Sequence, residues 1–128
     1  MATLLLVDDD EAFRSMLRRA LQRRGHDVIE AAEGGAALSA LSGATVDLVI
    51  TDIIMPDMEG IETIRALRRT YPNLKIIAMS GGGRMQPDGY LKAAKALGAF
   101  RVLSKPFDNE QLFTAIEEAL QAGDQGHG

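Results

Sequence analysis

The chain has 128 residues, 46% of them hydrophobic and 25% charged, which suits one domain around one core. A mean hydropathy of -0.03 and apolar runs no longer than a strand exclude a membrane-spanning helix, and the lack of cysteine excludes a disulfide framework or a thiolate metal site. A net charge of -4 and a pI of about 5.1 oppose nucleic-acid binding by the chain as a whole.

Strand-length apolar runs alternate with stretches of helical period from end to end. Thr3–Val7 reads as a first strand, followed by Asp8-Asp9-Asp10. Phe13, Met16, Leu17, Ala20 and Leu21 then recur at helical spacing, with Arg14, Arg18, Arg19, Arg23 and Arg24 opposite. Those arginines read first as a solvated helix face, second as a docking face for a partner protein, and only distantly as a DNA contact. Gly25 is the expected C-cap, and Asp27–Ala31 a short second strand. Residues 34–41 form an alanine-rich helix closed by Ser42-Gly43. Residues 48–51 are apolar on both faces, as in a buried parallel strand, and they lead into Asp52. Ile61, Ile64 and Leu67 mark a third helix, which stops before Pro72-Asn73, and residues 75–79 a fourth strand leading into Ser80. After a glycine-rich loop, Tyr90, Leu91, Ala94 and Leu97 mark a fourth helix, ended by Gly98. Arg101–Ser104 is the fifth strand, followed by Lys105-Pro106-Phe107. Asp108 caps a last helix with core face Leu112, Phe113, Ile116, Ala119 and Leu120.

Five uninterrupted βα units predict an α/β fold with a parallel sheet covered by helices on both faces. A Rossmann half and the flavodoxin-like, doubly wound order 2-1-3-4-5 compete. Only the second makes strands one and three neighbours at the switch point, where ligands bind at the strands' C-terminal edge. It places Asp8, Asp9 and Asp52 in one crevice, with Ser80 and Lys105 on its far side. Converging carboxylates repel one another unless a cation neutralises them, and an all-oxygen donor set suits Mg2+, with Mn2+ as a substitute. Each piece alone has a plainer reading. The acidic triplet can be a solvated loop with Asp10 as N-cap, Asp52 and Asp57 around Pro56 can be turn residues, Ser80 can open a mere loop, and Lys105 can be a surface lysine before a helix whose entry Phe107 staples. Their joint position at four strand ends favours a phosphoryl site.

That set of residues, in that order from Leu4 to Leu120, resembles the receiver domain of two-component response regulators. The resemblance implies that Asp52 accepts a phosphoryl group from a phosphohistidine. It further implies that Asp9 and Asp52 ligate the metal directly, Asp8 through water, and the backbone carbonyl of Ile54 as a further ligand. Ser80 and Lys105 then serve the phosphoryl oxygens, and the Lys105–Pro106 bond is expected to be cis. Three positions depart from the family. Ile54 is apolar where polar side chains are common, Gly82 has no side chain, and Val102 stands where many receivers carry a switching aromatic. The loop at 81–89 also looks longer than usual.

The implied partners are a histidine kinase or histidine phosphotransfer protein and an unidentified downstream protein, with no membrane and no direct nucleic-acid contact. The expected assembly is a monomer or a weak, phosphorylation-dependent dimer. Met1 to Val7 lacks the features of a signal peptide, and a cytoplasmic location is expected. The receiver is expected over residues 1–122, with 123–128 a frayed tail and no output domain following. The enzyme-class alternative is a Mg2+-dependent phosphatase of the haloacid-dehalogenase kind, which needs two acids at the spacing of Asp8 and Asp10 but leaves Asp52 and Lys105 unexplained. A flavodoxin-like FMN binder is disfavoured by the carboxylates and by an aromatic content of only 5%.

Overall fold

A computed structural model describes residues 2–53, 60–80, 92, 95, 96 and 98–125. Five strands, β1 (Thr3–Val7), β2 (Asp27–Ala31), β3 (Leu48–Asp52), β4 (Lys75–Ser80) and β5 (Arg101–Ser104), form one parallel sheet in the order β2-β1-β3-β4-β5. The helices in the described residues are α1 (Glu11–Arg23), α2 (Gly34–Gly43), α3 (Gly60–Thr70) and α4 (Asn109–Gln125). α4 runs past the boundary expected at 122. Most of the helix expected around Tyr90, Leu91, Ala94 and Leu97 lies outside the described residues.

The order follows from the pattern of the strands. Successive side chains of a strand point to opposite faces, so a run that is apolar throughout needs cover on both. Leu5 and Val7 of β1 join Val49, Ile76, Ile64 and Leu67 in the core beneath α2 and α3. Leu4 and Leu6 join Ile50, Ile77, Leu17 and Ile116 in the core beneath α1 and α4. β3, buried at every position, is the centre of the sheet.

Local chemistry fixes where the helices start. Asp10 has an extended backbone and its Oδ1 accepts the Phe13 N–H at 3.1 Å, which satisfies a donor that the first turn of α1 leaves open. Asp108 and Gln111 exchange bonds before α4, Gln111 N–H to Asp108 Oδ1 at 2.9 Å and Asp108 N–H to Gln111 Oε1 at 3.1 Å, a reciprocal capping box. At the other end of α1, Gly25 takes φ 93°, as its expected role requires. No helix of the described residues is long and apolar enough to cross a membrane.

Candidate functional site

The register brings the C-terminal ends of β1, β3 and β4 to one edge. Val7 pairs with Thr51 and Asp52 with Met79, so the residues that follow emerge side by side. Asp52 closes β3 and is 5% exposed; Asp8, directly after β1, is fully buried, as is Ser80 at the end of β4. Asp9 is exposed. Carboxylate oxygens of Asp8, Asp9 and Asp52 all lie within 4.8 Å of one another.

Lys105 reaches this cluster from the far side of the sheet. Its backbone N–H donates to Ser80 O at 2.7 Å, which ties the segment after β5 to the end of β4. Its Nζ donates to Asp8 Oδ2 at 3.0 Å and to Asp52 Oδ2 at 3.1 Å. The Lys105–Pro106 peptide is cis, as the resemblance implied. Burial pulls the ammonium's pKa down, but the Asp52 charge and the bond to Asp8 outweigh it and leave the pKa above its ordinary value.

Sequence reasoning placed Arg14 and Arg18 on a solvated or docking face and missed their link to Glu30 and to the acidic turn. Arg14 Nη1 donates to the Asp8 carbonyl at 2.6 Å, while its Nε bonds Glu30 Oε1 at 2.9 Å; Arg18 Nε lies 3.1 Å from Glu30 Oε2. Arg14 is thus a brace on the acidic turn rather than part of a solvated face. The sequence shows only that Arg14 and Arg18 are one helical turn apart; that Glu30 sits opposite Leu6, on the α1 side of the sheet, is fixed by the register of the folded strands. Ile54, Pro56, Asp57 and residues 81–89, Gly82 included, lie outside the described residues. Val102 is partly buried against the core beneath α2 and α3. A concavity of about 470 Å³ lined by Asp47, Tyr71 and Lys75 lies at the opposite end of the strands and contributes nothing to this cluster.

Three carboxylates carry three formal negative charges against one ammonium, and the excess of two suits a divalent cation. Oxygen-only donors suit a hard one. Asp10, the second acid of the phosphatase reading, instead caps α1. A doubly wound sheet with this cluster at its switch point defines a domain able to hold a divalent cation there.

Comparison with known proteins agrees. A family model described as response regulator receiver domain matches residues 4–117. The sensor kinase CckA of Brucella abortus is 42% identical over 125 residues, covering 96% of this chain and 13% of that protein. The transcriptional regulator NtrC of Azospirillum brasilense is 37% identical over 123 residues, covering 94% of this chain and 24% of that one. The chemotaxis protein CheY4 of Vibrio cholerae superposes with a TM-score of 0.83 at 34% identity, covering 94% of this chain and 99% of that one. The chain therefore belongs to the response regulator receiver family, and it spans 13% and 24% of the lengths of the two curated relatives. Receiver domains, as a family, act as signalling phosphoacceptors.

Proposed function

We propose that Asp52 is the phosphoacceptor of this receiver, taking its phosphoryl group from the phosphohistidine of a kinase or phosphotransfer protein. The observation that supports this is the placement of Lys105 Nζ, 3.0 Å from Asp8 and 3.1 Å from Asp52, beside three gathered carboxylates. An Asp52 oxygen attacks phosphorus; the O–P bond forms as the P–N bond breaks, and the electron pair left on the imidazole nitrogen takes up a proton. Lys105 turns from its carboxylates to a peripheral phosphoryl oxygen, and the Ser80 hydroxyl serves another. Asp9 and Asp52 would hold Mg2+ (or Mn2+) and Asp8 would act on it through water, with the Ile54 carbonyl as a further ligand that the family resemblance implies. When bound, the ion supplies positive charge that offsets the crowded carboxylates and the phosphoryl oxygens.

The added charge of about -1.5 to -2 then shifts the domain between two states and changes what it binds. The donor and the downstream partner are proteins, the location is cytoplasmic, and the domain works as a monomer or a weak dimer formed on phosphorylation. Radiolabelled acetyl phosphate with Mg2+ tests the assignment. Wild type should take up hydroxylamine-labile label, and Asp52→Asn should take up none. Label that persists on Asp52→Asn, or that survives alkaline hydroxylamine, removes Asp52 from the role.

A further inference from the structure

Lys105 also stands on an aromatic face. Its Nζ lies 4.1 Å from the centroid of the Phe13 ring while it bonds both carboxylates. Phe13 is held on two sides. Its backbone N–H is fixed by the Asp10 cap at 3.1 Å, and its ring meets Phe107 edge-on, with centroids 6.1 Å apart and planes at 79°. A ring face attracts a cation, and more strongly as water is excluded; the Lys105 side chain is only 20% exposed.

The acids that hold Lys105 are the same ones that gather around a divalent cation. A dication offsets their charge and repels the ammonium. A lysine held by carboxylates alone would then swing out to water on its flexible stem. The ring carries no charge to offset, so its attraction survives metal binding. We infer that Phe13 is a positioning residue for Lys105, keeping the ammonium beside Asp52 when a divalent cation takes over the carboxylates. This rests on the roles given above to Asp52 and Lys105. Phe13 touches no reacting atom itself.

Carbon-13 lysine labelling of the full chain tests the placement without any phosphoryl transfer. The Lys105 Hε resonance, assigned by its loss in Lys105→Arg, should lie upfield through the ring current and stay upfield when Mg2+ is added. It should move to the free-lysine position in Phe13→Leu and remain upfield in Phe13→Tyr. A wild-type resonance at the free-lysine position with Mg2+, or one unchanged in Phe13→Leu, overturns the inference. Acetyl phosphate kinetics give the consequence. Phe13→Leu should slow phosphorylation at saturating donor by about tenfold with little change in KM, and Phe13→Tyr should restore it. In a Lys105→Met background, Phe13→Leu should cost nothing further, whereas an equal loss in both backgrounds means a merely structural role and overturns it. If wild type takes no label, the Asp52 assignment fails and the resonance positions still decide this one.

Discussion

Every polar group of Asp8 is engaged. Its N–H donates to Ala31 O at 3.1 Å, its carbonyl accepts from Arg14, its Oδ1 accepts from Asp10 N–H at 2.9 Å, and its Oδ2 accepts from Lys105. A fully buried carboxylate survives only under such conditions, and removing one partner leaves it poorly compensated. Lys105→Met should therefore destabilise the metal-free domain by about 1–3 kcal/mol in urea unfolding. Mg2+ should narrow the gap, because a dication takes the place of the ammonium. The pH dependence follows from the raised Lys105 value. A folded pKa above the ordinary 10.5 means that this contribution is complete below the unfolded value and fades only as pH climbs through the folded one. The difference between wild type and Lys105→Met should stay flat from about pH 6 to about pH 9, below the ordinary lysine range. A gap that shrinks across that window would show that another group controls it.

At the scale of elements, the strands and caps were legible in the sequence and the braces were not. Strand bounds could be read because β1, β3 and β4 are apolar on both faces until the pattern breaks, at Asp8 just after β1 and at Asp52 and Ser80, the last residues of β3 and β4. Asp10 and Asp108 announced α1 and α4 by their chemistry alone. Glu30 could not be assigned to Arg14 and Arg18, because which way a strand residue faces depends on a register that only the folded sheet settles. Phe13 reads as an ordinary core position of a helix, and nothing in its spacing shows that Lys105 sits over its ring. Arg68 is a similar case. From α3 its Nη1 donates to Pro72 O and Leu74 O, both at 2.8 Å, and its Nη2 to Gly98 O at 2.8 Å. One guanidinium thus ties α3, the turn before β4 and the approach to β5. Gly98 has φ 96°, and a Cβ there would lie 3.1 Å from Arg68 Nε, so the bare backbone lets the side chain in. Arg68→Met keeps the apolar stem and leaves three carbonyls without their donor. It should cost about 1–3 kcal/mol in urea unfolding. A loss within about 0.5 kcal/mol, the range of an ordinary surface change, would show that water replaces the clamp.

For the whole molecule, the site is a store of like charge at one edge of a chain already carrying -4. The sheet brings the carboxylates of Asp8, Asp9 and Asp52 within 4.8 Å of one another, and the core beneath α1 and α4 holds them there. Folding gathers the acids and unfolding disperses them, so a ligand that binds the gathered set must stabilise the fold by mass action. At ten times its dissociation constant a single Mg2+ should add about 1.4 kcal/mol to the unfolding free energy. Asp9 is the informative residue to change, because it is the exposed member of the three and Lys105 holds the other two. Asp9→Ala should remove the Mg2+ increment. Without metal it should leave stability equal to wild type or higher, because it removes one like charge from the cluster. Asp8→Ala should weaken the increment without removing it, as expected of an acid acting through water. Thermal or urea unfolding of the three proteins, with and without Mg2+, separates these cases. A full Mg2+ increment in Asp9→Ala takes that residue out of the metal site and moves the cation to the buried pair alone.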